Sequence, residues 1–378
     1  MSADALTKMV FEQIGNADSE IKDILMAVAA GKELTVREAT ELWEARGPTL
    51  WLLVKAADLV RCQQVGDVVT YVKNRNINFT NVCVGSCKFC AFARSPNEEG
   101  GYLLSKSEIK RKVHEAVVAG ATEVCVQGGL HPELGLSDYL EILQAIREVS
   151  PTIHIHAFSP AEIDHISKQE GASVEEVLLK LKGAGVNSMP GTAAEILSER
   201  VRRVICPSKI GVSRWVKIIR TAHELGIPTT ATILYGTVET PAERASHLAL
   251  LREIQKETQG FTEFIPLAFM PKNTELAKSG ITSPPALEEN LKMHAIARLM
   301  LGGWIPNLQT SWVKLGPEGA QLMLMAGAND LGGTLMEENI TRAAGGTLTQ
   351  LSEHEIRSLI LGIGRTPKQR TTLYQILD

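Results

Sequence analysis

Beginning near residue 76, a short apolar segment, a polar turn and a helical period follow one another about eight times. Strands are expected near residues 76–82, 123–127, 152–156, 186–188, 228–234, 261–267, 306–310 and 328–331. Helical patterns begin between them near Ser105, Ser137, Ser173, Ser213, Pro241, Pro285 and Pro317. Ser173 with Glu176 makes a capping box, and Gly120 and Gly226 stand where a helix should stop. Strands separated by helices pair in parallel, because parallel neighbours need long crossovers. The number of units fits a closed (β/α)8 TIM-like barrel better than an open doubly wound sheet.

The first 70 residues carry helical patterns only. Thr35 and Glu38 form a capping box that opens an amphipathic run expected to end near Gly47-Pro48. The expected organisation is therefore α/β, with an N-terminal helical cap over residues 1–70. A barrel with its closing elements then follows over residues 71–378. Of the 378 residues 44% are hydrophobic and 22% charged, which excludes a disordered chain or a small disulfide scaffold. A net charge of −4 argues against a nucleic-acid partner. No stretch nears the roughly 20 apolar residues that cross a bilayer, and no secretory signal opens the chain. The expected setting is cytoplasmic, with no membrane partner.

Of six cysteines, three fall in Cys83-Val-Gly-Ser-Cys87-Lys-Phe-Cys90, directly after the first expected barrel strand. Thiolates at this C-x3-C-x2-C spacing can hold three irons of a [4Fe–4S] cluster and leave the fourth open. Gly85 permits the tight turn, and Phe89 and Phe92 can exclude water. Zinc would need a fourth protein ligand, and no His or Cys follows at a usual spacing. Cys62, Cys125 and Cys206 stand alone in apolar segments and are expected to be packed core residues.

A C-x3-C-x2-C loop after the first strand of an α/β barrel resembles the radical S-adenosylmethionine (SAM) superfamily. The resemblance implies that SAM chelates the open iron and is cleaved by one electron to a 5′-deoxyadenosyl radical. Other segments are similar to SAM contacts in that superfamily. Gln127-Gly128-Gly129 resembles the glycine-rich contact to the methionyl amine. Ile233-Leu-Tyr235-Gly236-Thr-Val-Glu239 resembles the adenine-contacting G-x-I-x-G-x-x-E pattern, with Thr or Ala in place of the first glycine. Glu195 and Arg202 stand where relatives hold the ribose and carboxylate, or else form a surface ion pair.

Longer wording narrows the resemblance. Gln127-Gly-Gly-Leu-His-Pro132, Ile153-His-Ile-His156-Ala-Phe-Ser-Pro160, Met189-Pro-Gly-Thr-Ala-Ala-Glu195, Gln309-Thr-Ser-Trp312-Val-Lys314 and Gly327-Ala-Asn329-Asp330-Leu-Gly-Gly-Thr334 occur in order. The set resembles the family that joins the menaquinone futalosine-pathway enzymes with the two halves of the deazaflavin (FO) synthase. Asn78-Phe-Thr-Asn81 and the segments ending at Glu195 and Thr334 favour the CofH family, FO synthase subunit 2. Those enzymes are the 5-amino-6-(D-ribitylamino)uracil–L-tyrosine 4-hydroxyphenyl transferases of coenzyme F(420) biosynthesis. Thr237 departs from the histidine expected there in many relatives.

The implied reaction removes hydrogen from tyrosine, breaks its Cα–Cβ bond and adds the 4-hydroxybenzyl fragment to the diaminouracil. Its implied cofactors are a [4Fe–4S] cluster and SAM; its implied partners are an electron donor protein and a separate CofG enzyme, since one cysteine triplet is present. Barrel sites are built at strand C-terminal ends. Asn329 and Asp330 are expected to meet the pyrimidine there, with Asp330 and His156 in catalytic roles. Gln309, Ser311 and Trp312 are expected to bind substrate, Trp312 by stacking. His156 could equally be a satisfied core histidine, and Tyr235 could line the adenine pocket or only pack. A non-enzymatic iron–sulfur carrier is the alternative of another class.

Overall fold

The computed structural model describes residues 19–377. The barrel begins at Val68, earlier than the sequence pattern suggests. Val68-Val-Thr-Tyr-Val supplies a β-branched and aromatic run, which forms strand β1 (Val68–Val72). Lys73 separates it from β2 (Asn74–Asn78), and the chain leaves the sheet after Asn78 to enter the cysteine loop.

The ring can be followed pair by pair, always in parallel. β2 pairs with β3 (Glu123–Gln127), and β3 with β4 (His154–Ala157). From there His156 bridges to Ser188, and Met189 to the first residue of β5 (Thr229–Tyr235). β5 pairs with β6 (Phe261–Ala268), Phe264 bridges to Leu308, and Gln309 bridges to Asp330 of β7 (Asp330–Gly333). β7 pairs back onto β1 through Thr70–Asp330 and Val72–Gly333. With β1 and β2 taken as one strand, the circuit has eight positions and closes as a (β/α)8 barrel.

Two positions, at 188–189 and 308–309, are single bridges rather than full strands. Pro190 and Pro306 flank them and lack the amide a ladder needs. Asparagine side chains complete the pairing instead. The Ile155 amide donates to Asn187 Oδ1 at 2.9 Å, and the Leu308 amide to Asn329 Oδ1 at 2.8 Å.

Helices wrap the outside and largely begin where the sequence punctuates them. Capping boxes open Lys106–Val118 at Ser105, Val174–Gly183 at Ser173 and Pro241–Thr258 at Thr240. Trp312–Leu324 is broken at Gly316 (φ 73°), so Pro317 starts its second segment and Trp312 to Leu315 form a separate turn. The Thr35 box is present on Val36–Leu42, but Gly47-Pro48 opens the next helix, Gly47–Val65, rather than ending the previous one. These N-terminal helices share the barrel's hydrophobic core: Gly47–Val65 lies on Leu287–Leu301, and Val36–Leu42 on Pro241–Thr258. Residues 1–18 of the expected cap lie outside the described residues. No helix among the described residues is long and apolar enough to cross a membrane.

The C-terminal segment adds one more parallel strand. β8 (Thr366–Gln369) pairs in parallel with β1 at Val68–Tyr71. It delivers Arg370, 2% exposed, to the floor, where Nε meets Asp330 Oδ2 at 2.5 Å and Nη2 meets Glu263 Oε2 at 3.3 Å. Tyr374 adds an O–H to Glu263 at 2.5 Å and lies under the guanidinium, 3.9 Å from ring centre to Cζ. Asp330 thus begins β7 at the floor and does not end a strand at the mouth, as the sequence suggested. Removing the cation leaves two buried carboxylates unpaired. Arg370→Met is therefore expected to lower stability by about 3–5 kcal/mol, seen as an earlier urea-unfolding midpoint, with Arg370→Lys falling between the two.

Candidate active site

The strand ends and the loops above them enclose a cavity of about 410 Å³. One wall is the loop between β2 and Lys106–Val118, which carries Cys83, Cys87 and Cys90. Local backbone geometry fits it for thiolate ligands. The Gly85 amide donates to Cys83 Sγ at 3.3 Å, and the Ala93 amide to Cys90 Sγ at 3.4 Å. A Cβ on Gly85 would stand 3.2 Å from Cys83 Sγ and 4.0 Å from Cys87 Sγ, so the missing side chain leaves a cradle between two sulfurs. Burial pushes the Cys87 thiol up to about 12, and its ligand form therefore calls for the positive charge of a metal centre. All three cysteines line the cavity, and thiol donors are the kind an iron–sulfur cluster takes.

The Gln127-Gly128-Gly129 turn after β3 is locked to this loop. The Gly129 amide donates to Thr80 O at 2.9 Å, and the Val84 amide to Leu130 O at 2.9 Å. A Cβ on Gly128 would enter the Phe79 ring, and one on Gly129 would strike the Val82 carbonyl, one residue before Cys83. Glu162 holds the turn from below. Its carboxylate accepts from the Gly128 amide at 3.0 Å while it caps its own helix through Ser159. Burial raises this carboxyl to about 7. Glu162 was not expected as a site residue, although Ser159-Pro-Ala-Glu162 is a capping box visible in the sequence.

Glu195 lines the cavity with a left-handed backbone (φ 44°) and pairs with Lys209, which also lies 5.4 Å over the Phe89 ring. Arg202 is not its ion-pair partner. The guanidinium is buried and donates to the carbonyls of Ala193, Ala194 and Ile210, which fixes the turn that carries Glu195.

After β5 the expected contacts divide in the same way. Leu234 lines the cavity, whereas Tyr235 points outward and donates its O–H to Asn290 at 2.7 Å. Glu239 accepts from the amides of Gly236 (2.5 Å) and Thr237 (2.9 Å) and from Thr237 Oγ1 (2.6 Å), so it shapes the Gly236 turn.

Gln309 and Ser311 line the cavity; Trp312, Asn329 and Asp330 do not. Trp312 is buried and donates Nε1 to Gly333 O at 3.0 Å, which removes it as an exposed stacking platform. Asn329 accepts from Arg298 at 2.6 Å and completes the strand ladder, and Asp330 is held by Arg370. Cys125 lines the cavity and Cys62 is exposed, against the expectation that both are core; Cys206 is buried.

His156 lines the cavity with Nδ1 2.7 Å from Ser188 Oγ. Burial pulls its ionisation down to about 4, with Glu123 opposing, so the ring is neutral near pH 7.

The chain matches two family models: the radical SAM superfamily over residues 77–251 and the CofH/MqnC C-terminal region over residues 258–378. It is 54% identical over 325 residues to a 5-amino-6-(D-ribitylamino)uracil–L-tyrosine 4-hydroxyphenyl transferase of Archaeoglobus fulgidus, spanning 86% of this chain and 93% of the relative. A Methanocaldococcus jannaschii protein of the same name is 49% identical over 352 residues, 92% and 98% of the two chains. Among solved structures, methylornithine synthase (PylB) superposes with a TM-score of 0.70 at 21% identity, covering 91% of this chain and 97% of that one. HydG from Carboxydothermus hydrogenoformans gives 0.74 at 17% identity, covering 98% and 84%. These two likenesses establish the barrel fold.

Barrel, cysteine loop and superfamily match define a radical SAM enzyme, a class that works with a [4Fe–4S] cluster and SAM. Within that class the chain belongs to the CofH family.

Gly129→Ala is expected to displace the Val82 carbonyl and with it Cys83, lowering iron bound per chain on anaerobic reconstitution below that of wild type. A second outcome concerns pH. Folded His156 holds its proton less tightly than the unfolded side chain, whose ordinary value is 6.5. Unfolding therefore takes up a proton between pH 6.5 and about 4, and stability falls as pH drops through that window. His156→Gln removes that share, and its urea midpoint should fall less steeply with acid; His223, also pulled to about 4, keeps part of the slope.

Proposed function

We infer that this chain is a transferase that cleaves L-tyrosine between Cα and Cβ and joins the 4-hydroxybenzyl fragment to 5-amino-6-(D-ribitylamino)uracil. The supporting observation is the identity of about half the residues to relatives named for that activity, over 86% of the chain in one case. When bound, the cluster and SAM supply a hydrogen-abstracting carbon radical. Cys83, Cys87 and Cys90 would hold the cluster, and Gln127, the Gly128 and Gly129 backbone and Glu195 would bind SAM. Arg202, Glu239 and Glu162 act behind them by fixing turns.

The remaining lining suits two polar substrates. Gln309, Ser311 and the neutral His156 offer donors and acceptors for a pyrimidine or a phenol. Enclosure keeps water and escape routes away from a reactive fragment, and holding both substrates together supplies the proximity that addition needs. A cytoplasmic setting, a protein electron donor and a separate CofG-type enzyme that consumes the adduct complete the reading.

The test is mass spectrometry of the anaerobically reconstituted enzyme given tyrosine, the diaminouracil, SAM and a reductant. The hydroxybenzyl adduct and 5′-deoxyadenosine are expected together, and both should vanish in Cys87→Ala. Deoxyadenosine without adduct, from a cluster-loaded protein, overturns the substrate assignment.

A further inference from the structure

Three cationic side chains line the cavity among the described residues: Lys209, Arg370 and Lys314. Two are neutralised, Lys209 by Glu195 and Arg370 by Asp330 and Glu263. Lys314 Nζ instead donates to a neutral acceptor, Thr341 Oγ1, at 2.9 Å. Glu338 faces the same region, but its oxygens accept from Asn76 Nδ2 at 2.6 Å and from the Thr341 amide at 2.7 Å. Burial disfavours the ammonium form of Lys314, with the Glu338 charge opposing but no carboxylate in ion-pair contact among the described residues, an arrangement that an arriving anion relieves.

The position of Lys314 is also well determined. It lies on the isolated turn between Ser311 and the break at Gly316, its amide bonded to Ser311 O at 3.1 Å. Trp312 anchors that turn through Gly333. The turn follows the 308–309 strand position, away from the arc of β3 to β5 that carries Gln127, Glu195 and Leu234.

We propose that Lys314 is the residue that binds the α-carboxylate of the amino-acid substrate. The proposal rests on the reading of tyrosine as that substrate. Tyrosine brings one carboxylate, whereas the diaminouracil and its ribityl chain bring none. The methionyl carboxylate of SAM has the same chemistry; Lys314 stands on a different arc of the ring from Gln127, Glu195 and Leu234 but on the Cys90 side, and a comparison of KM values separates the two carboxylates. A charge-assisted bond here would orient the amino-acid end toward the cysteine-loop side of the cavity and leave the phenol toward the strand-lined interior.

The experiment compares reconstituted wild type with Lys314→Met, which keeps the stem and removes the charge, and with Lys314→Arg, which keeps the charge. Lys314→Met should raise KM for tyrosine by about 10- to 100-fold. KM for SAM should stay unchanged, and Lys314→Arg should recover much of the loss. Equilibrium dialysis supplies a readout without turnover: wild type should prefer tyrosine to tyramine, and Lys314→Met should bind the two alike. A rise in KM for SAM alone, or unchanged tyrosine binding in a variant with full iron content, overturns the proposal. Wild type that cleaves SAM yet neither binds nor consumes tyrosine overturns the functional reading, and the proposal with it.

Discussion

The cavity exists because a ring of parallel strands closes, and that closure depends on backbone hydrogen bonds in two places where the strand is almost missing. At 188–189 and 308–309 one bridge joins each neighbour. Proline beside each bridge removes donors, and Asn187 and Asn329 return acceptors at the same points. Buried amides without partners would destabilise the barrel by an amount comparable to a lost hydrogen bond each. The thin positions also leave room. Shortened strands release the chain early, so Glu195, Gln309 and Ser311 reach the cavity from loops that a full strand would have kept in the wall.

The floor answers a second constraint. Strand interiors of a barrel this size are normally filled with apolar layers, yet here the lower wall carries Glu123, Glu263 and Arg370. Such groups are tolerated only when satisfied. The C-terminal segment supplies Arg370 and Tyr374 from beyond the ring, so the polar floor is assembled by the last residues of the chain. Charge pairing at the floor, and Lys314 near the mouth with no carboxylate in ion-pair contact, give the cavity two different electrostatic ends. A ligand with one anionic group and one neutral ring meets that asymmetry in a single orientation.

The parallel ring and the cysteine loop were legible in the sequence because each rests on short-range signals: alternating periodicity, capping boxes and thiol spacing. β3 fell where the pattern placed it, and Ser105, Ser173 and Pro241 marked helix starts. Register and depth were less legible. The strand Val68–Val72 is hard to see in the sequence because its short β-branched run directly follows the helix Gly47–Val65. Asp330 was placed at the mouth because nothing local reveals that Arg370, forty residues on, would draw it to the floor. Lys314 lies within the Gln309–Lys314 segment, but its lack of a carboxylate in ion-pair contact is a property of the folded ring.

Most of the expected SAM contacts that moved did so in one way, from touching the ligand to shaping what touches it. Arg202 and Glu239 lie where the motif puts them in sequence, but Arg202 satisfies main-chain carbonyls, while Glu239 pairs with Arg244 at 2.9 Å and accepts from turn amides. Both bind the backbone of a tight turn; Glu195 holds a left-handed conformation that needs support, whereas Gly236 adopts its positive φ freely. Loss of either side chain would then loosen a loop rather than delete a hydrogen bond to cofactor, and the effect would spread over every group that loop carries. Reading a motif as a contact list misses this distinction; following each buried charge to its partner recovers it.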